Sequence, residues 1–467
     1  MSTANQTVPR SIVIVGAGFS GTLVAAQLLR QARSPLIITL VERDPARFNR
    51  GVAYGTHQRC HLLNVPAGKM SAYPDDPDHF LRWAQLHQSQ LLNPPWVTRI
   101  DAGTFIPRRF YGDYLHDVLN EAEALAQPDV RLYRLVDKAL RLQEKANGIQ
   151  VSLESGLQVQ ADRVVFAAGN FPPGNPRLAD PGFYDSPRYH GNPWATAVIS
   201  DLLHTKACLL VGSGLTMVDW VMALRDANYG GTIHVVSRRG LWPQAHAAIL
   251  PWEGELKLGD TPSVLALLRV VRRAIRDTGA DWRVVIDSLR PRVQGIWQGF
   301  SVKDRRRFLR HLRPYWDCHR HRLAPVIAQQ LQLEQDAGRL YRHVGRVLAY
   351  QEGEGGTVKV TLQRRGQSDL ENFHVNAVLN CSGSESDYRN LESPFVRTLL
   401  DDGLIRPDAL SLGLDATPQG AVINHQGQPS AWFHTLGPPL KGILWETTAV
   451  PEIRVQALNL AMFLLDI

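Results

Sequence analysis

The 467-residue chain holds only four cysteines, Cys60, Cys208, Cys318 and Cys381, and no C-x-x-C. Their scatter excludes a disulfide framework, a cysteine-based metal site and the redox dithiol that disulfide reductases set beside a flavin. Buried reduced thiols are the reading that is left. No apolar run approaches the ~18 residues a membrane span needs. The opening M-S-T-A-N-Q-T-V-P-R lacks the apolar stretch of a secretion signal, so a cytoplasmic protein is expected. No catalytic triad, metal cluster or carboxylate pair stands out, and no metal is expected. Hydrophobic residues at 44% and charged residues at 20% exclude a disordered chain. The net charge of +7 says only that anions are attracted, which a phosphorylated cofactor or an acidic substrate satisfies.

The chain is organised around residues 12–21, I-V-I-V-G-A-G-F-S-G. Ile12, Val13, Ile14 and Val15 are what a strand buried on both faces of a parallel sheet requires. Gly16, Gly18 and Gly21 then fit G-x-G-x-x-G: a tight turn, close backbone approach to a pyrophosphate, and close helix packing. Phe19 and Ser20 lie inside this loop, and residues 22–31 follow as a helix whose N-terminal amides would face the phosphates. A second strand, 36–41, ends in Glu42, where an acid can accept from a ribose 2′-hydroxyl. This βαβ context specifies an adenine dinucleotide, with FAD and NAD both open at this point.

Residues 43–77 are too rich in Gly, Pro and Asn for one regular element and read as a long functional loop. Helices are expected at 79–88 and 110–126, and strands of a small antiparallel layer at 131–142 and 149–159. Residues 162–170, D-R-V-V-F-A-A-G-N, bring a buried strand back to the sheet and end it at Gly169, where small residues let the chain pass close to the dinucleotide.

From Ala207 the opening pattern repeats: a strand, Gly212 and Gly214, a helix to about Asn228, and a strand at 232–237. Met217 stands at the third glycine position, implying looser helix packing. Ser237, Arg238 and Arg239 stand where the first unit has Glu42, and arginine there accommodates a 2′-phosphate that an acid would repel. The acid suits FAD in the first unit; the arginines suit NADPH in the second.

Residues 261–330 form a mostly helical, arginine-rich insertion containing Trp282, Trp297, Phe308, Tyr315 and Trp316. Such residues can grip nucleic acid. Helical spacing instead turns most of the apolar ones inward and lets arginines pair with Asp277, Asp281, Asp287, Asp304 and Asp317, giving a helical cap with a basic inner wall. Nucleic acid is therefore not an expected partner, and an anionic small molecule is. Strands at 342–351 and 357–363 follow, and residues 375–383, V-N-A-V-L-N-C-S-G, repeat the strand-to-glycine pattern with Gly383. The C-terminus supplies W-F-H-T-L-G-P-P-L-K-G, with Gly437 and Gly442, and a helix at 452–465, so a glycine turn entering a helix could aim amides at the flavin.

The residues resemble the YdhS-like FAD/NAD(P)-binding proteins, related more distantly to flavin-dependent N-hydroxylating monooxygenases. The resemblance rests on G-A-G-F-S-G, G-V-A-Y-G-T, L-L-N-V-P-A-G-K-M-S, H-F-x-x-W, W-D-x-H-R-H-R-x-x-P and G-P-P-x-x-G, which together span nearly the whole chain. It implies a flavoprotein in which G-V-A-Y-G-T and L-L-N-V-P-A-G-K-M-S lie along FAD, with Asn64 and Lys69 as candidates near the reacting rings.

The expected fold is α/β: two nested Rossmann-like domains, for FAD and NADPH, with a helical insertion. The FAD domain takes 1–204 and 377–467, the NADPH domain 205–376, and the cap 261–330. The expected activity is an NADPH-consuming, FAD-dependent monooxygenase: hydride passes to the flavin, and reduced flavin reacts with molecular oxygen to hydroxylate a small substrate, an amine or amino acid. The alternatives are an NADPH-dependent flavin reductase without oxygen insertion and a flavin-bound redox sensor.

Overall fold

The computed structural model describes residues 9–91, 99–249, 252–257 and 263–466. Its strands, in chain order, are β1 Arg10–Val15, β2 Leu36–Glu42, β3 Val130–Val136, β4 Ala139–Lys145, β5 Gly148–Leu153, β6 Gln158–Ala161, β7 Arg163–Phe166 and β8 Tyr189–His190. They continue as β9 Ala207–Val211, β10 Thr232–Ser237, β11 Leu340–Glu352, β12 Val358–Arg364, β13 Leu370–Val375, β14 Ala377–Asn380, β15 Ala421–Ile423 and β16 Pro429–Thr435. The chain divides into two compact units. One comprises Met1–Arg59, Pro66–Phe171 and Ser386–Ile467; the other comprises Cys60–Val65 and Pro172–Glu385.

The first unit is built on a six-stranded sheet in the order β15-β16-β7-β1-β2-β3. From β16 to β3 every neighbour is parallel. The apolar run of β1 explains its central place, since Ile12, Val13 and Ile14 are at most 2% exposed and a both-sided burial suits only such side chains. Helix Phe19–Gln31 covers one face with helices Arg108–Ala124 and Val450–Asp466 packed beside it. The antiparallel layer β4-β5-β6 and helix Pro394–Asp401 cover the other, joining Leu142, Ile149 and Val151 to Val13, Val164 and Phe433 in one core. Each such aliphatic side chain contributes about 1.5–3 kcal/mol of burial.

The second unit has a seven-stranded sheet in the order β13-β12-β11-β10-β9-β14-β8. Here β9 plays the part of β1, parallel to β10 on one side and β14 on the other. In each sheet the chain runs outward from the glycine-loop strand first one way and then the other. Both loops therefore stand at a topological switch point, where open α/β sheets leave a crevice for ligands.

Three expectations change. Residues 131–142 are not one strand of the small layer: β3 joins the parallel sheet as its edge, and the layer starts at Ala139. An edge strand is half exposed and alternates as an antiparallel strand does. The expected boundaries at 204/205 and 376/377 move to 171/172 and 385/386, because β8 and β14 pair within the second sheet. The glycine turn at Gly437 leads not into the last helix but into a short 3₁₀ turn, Pro438–Leu440, and the helix begins at Val450.

Candidate dinucleotide sites

The two glycine loops repeat one another bond for bond. Gly16 N–H donates to Val41 O at 2.8 Å and Gly212 N–H to Val236 O at 2.9 Å. Ala167 N–H donates to Val15 O and Cys381 N–H to Val211 O, each at 2.8 Å. Both turn glycines hold positive φ, +103° at Gly16 and +115° at Gly212, a region costly for side-chain-bearing residues. A methyl group on Gly16 would lie 2.5 Å from Ala167 O, and one on Gly212 2.3 Å from Cys381 O.

In the first unit the remaining glycines keep the cradle shallow. A Cβ on Gly21 would sit 1.9 Å from Gly16 O, and one on Gly18 3.2 Å from the Gly51 Cα. No side chain caps helix Phe19–Gln31 among the described residues, so its first amides and its dipole are available to a phosphate. Glu42 ends β2 and holds the loop, its carboxylate accepting from Ala17 N–H at 3.0 Å and from Asp44 N–H at 3.3 Å. The Phe19 ring meets Tyr54 edge-on and Tyr111 at a tilt, at 5.8 and 6.1 Å between ring centroids, which fixes G-V-A-Y-G-T against the helix start. Gly437 arrives at the same place: with φ +74°, its Cβ would lie 2.8 Å from Ser20 Oγ. Gly169, φ +66°, has open space around it. These features fit a bound FAD: backbone can approach the pyrophosphate, and donors face it.

In the second unit Met217 takes the third glycine position and is fully buried. At the corresponding position of the first unit Gly21 leaves no room for any Cβ. Gly214 and Gly383 have open space, and no side chain among the described residues caps helix Leu215–Asp226. The three residues at the end of β10 divide their work. Ser237 Oγ accepts from Gly240 N–H at 3.1 Å and shapes the turn. Arg239 donates to Arg310 O at 2.9 Å. Arg238 is exposed and, among the described residues, no hydrogen bond or ion pair engages its guanidinium.

The other candidates are less defined. Asn64 is half-buried and its backbone carbonyl accepts from His246 Nε2 at 3.0 Å. Lys69 is exposed on the turn Ala67–Lys69. Gly442 is small for a protein reason: its Cβ would collide with the Asp408 carboxyl at 2.2 Å, and that carboxylate accepts from Leu410 and Leu412 N–H. Burial pushes the Cys60 and Cys208 thiols up to about 12 and Cys318 to about 11, so they stay protonated and unreactive.

The insertion follows its predicted logic. All five aspartates pair: Asp277 with Arg276, Asp281 with Arg283, Asp287 with Arg322, Asp304 with Arg307 and Asp317 with Arg313. Trp297 and Phe308 are buried, and Arg283 and Arg322 lie over the Trp282 ring. No helix among the described residues is long and apolar enough to cross a membrane.

Sequence reasoning missed Asn49 as part of the first cradle, although the resemblance sets the adjoining G-V-A-Y-G-T along FAD; Asn49 and Gly51 take φ of +64° and +56°.

Residues 13–171 match the model of an FAD-NAD(P)-binding protein family. No curated protein sequence matches the chain. Among solved structures, the reduced ornithine hydroxylase PvdA from Pseudomonas aeruginosa aligns at 15% identity with a TM-score of 0.65, over 98% of this chain and 99% of its own. The ornithine N-hydroxylase KtzI of Kutzneria sp. 744, solved with reduced FAD, NADP⁺ and L-ornithine, aligns at 13% identity and 0.64, over 98% and 99%. L-lysine 6-monooxygenase from Pseudomonas syringae aligns at 16% identity and 0.62, over 97% and 98%. The chain thus has the fold of these amino-acid hydroxylases, with an FAD-NAD(P)-binding domain at residues 13–171.

Proposed function

We propose that the protein is a cytoplasmic FAD- and NADPH-dependent monooxygenase that hydroxylates the amine of a small substrate, an amino acid being the first class to try. The observation that carries this reading is the doubled glycine loop with opposite charge at the end of its second strand, Glu42 in one unit and Arg238 in the other. One asks for an unphosphorylated ribose, the other for a phosphorylated one. The fold supports the rest, since the solved ornithine and lysine hydroxylases share it from end to end.

Bound FAD supplies the oxygen chemistry and NADPH its electrons, which is why the chain needs no nucleophile or metal of its own. Its residues bind and orient. The amides at the start of helix Phe19–Gln31 take the FAD pyrophosphate, Glu42 takes its ribose, Gly169 and Gly437 admit the cofactor, and Arg238 selects NADPH. Asn64 and Lys69 are the side chains proposed nearest the chemistry. Residues 261–330 hold fifteen Lys and Arg against five Asp, a surplus suited to a substrate carboxylate.

The test is a screen of primary amines and amino acids with NADPH under isotopically labelled dioxygen. A product carrying one labelled oxygen is expected. Consumption of NADPH with only peroxide released, whatever the amine, would instead mark a flavin reductase.

A further inference from the structure

Asn49 lies at the first glycine loop and is 3% exposed. Its backbone N–H donates to Ala17 O at 2.7 Å, between the first two motif glycines. Two residues on, a Cβ on Gly51 would lie 3.1 Å from the Gly18 Cα, so only glycine fits there. The side-chain amide touches His116, whose Nδ1 is 3.0 Å from Asn49 Nδ2 and whose Nε2 is 2.9 Å from Asn120 Nδ2.

A neutral imidazole has one N–H and one lone pair, so it cannot accept from two amide nitrogens, and one of the two amides must be turned over. Asn120 cannot be that one, because its Oδ1 already accepts from Arg134 Nη2 at 3.2 Å, and turning it would set donor against donor. His116 Nε2 is therefore the acceptor and Nδ1 carries the proton. Nδ1–H donates to Asn49 Oδ1, and Asn49 Nδ2 occupies the opposite position, which is fully buried and has no hydrogen-bond partner among the described residues. A buried donor costs about 1–3 kcal/mol when unmet.

We propose that Asn49 is a ligand of the dinucleotide in the first unit, donating its amide N–H to a pyrophosphate oxygen, with His116 as the positioning residue that fixes the amide. This rests on the FAD reading above. The left-handed backbone, φ +64°, offers a competing reason for asparagine, which tolerates that region. The two roles separate by mutation. Asn49→Gly adopts the same backbone more easily but has no amide; Asn49→Asp keeps the shape and sets a carboxylate against the phosphates.

FAD is titrated into flavin-free protein, with binding read from flavin fluorescence and the unliganded forms compared by thermal melting. Asn49→Gly loses the His116 bond but gains an easier backbone and sheds its own unmet amide, so it should melt close to the wild type, while its FAD dissociation constant rises about ten- to a hundredfold. Asn49→Asp should bind more weakly still. Wild-type affinity, within about twofold, in both variants overturns the role of Asn49 and leaves the FAD reading intact. Failure of the wild type itself to bind FAD overturns both. Should Asn49→Gly not fold, the Asp variant decides alone.

Discussion

Gly16 and Ala167 touch across the head of the first sheet: a methyl group on Gly16 would lie 2.5 Å from the Ala167 carbonyl oxygen. This contact joins the loop after β1 to the end of β7. Gly16→Ala meets both that collision and a left-handed φ, which alone costs about 1–3 kcal/mol. The variant should melt well below the wild type and purify without flavin. A normal melting temperature with a full complement of FAD would refute the placement.

Arg238 and Arg239 are adjacent but unequal, because only Arg239 has its guanidinium engaged, on Arg310 O. Arg238→Ala should raise the KM for NADPH about ten- to a hundredfold, the worth of one charged hydrogen bond, and barely change that for NADH. Arg239→Ala should show a smaller discrimination. Equal losses for both nucleotides in Arg238→Ala would contradict a 2′-phosphate contact.

His434, on β16, is 1% exposed beneath the Phe463 ring. Burial, with the Arg163 charge adding to it, holds the ring down at about 4. In the unfolded chain it titrates near 6.5. The unfolded state therefore binds the proton first as pH falls. The stability His434 contributes is complete above about pH 6.5 and declines from there to about pH 4, by up to about 3 kcal/mol. His434→Leu should flatten that acid limb in a series of denaturant melts. Parallel curves for both proteins would contradict it. His234, lowered to about 4 in the same way, remains in both and cancels.

The glycine loops and the strands they follow were legible because their chemistry is local. Residues 12–15 needed only their own apolar run, and β10 runs over the expected 232–237. The first helix starts at Phe19 rather than 22, since motif glycine and helix turn are the same residues and a Gly-rich string hides the turn. β13 went unread because its edge position leaves Leu370–Val375 largely exposed and only weakly patterned. Asn49 was out of reach for a different reason. Its role depends on His116, 67 positions away, and on Arg134 beyond that, a relation that only the fold creates. Conversely, Gly442 read as a ligand glycine because nothing in its string reveals Asp408 behind it.

The most direct test of the account is to mix purified, FAD-loaded protein with NADPH in the absence of oxygen and follow the flavin absorbance. Stoichiometric bleaching of the bound flavin, faster with NADPH than with NADH, is the predicted result. A flavin that stays oxidised with NADPH, or a protein that takes up no FAD, would contradict the assignment of the two units.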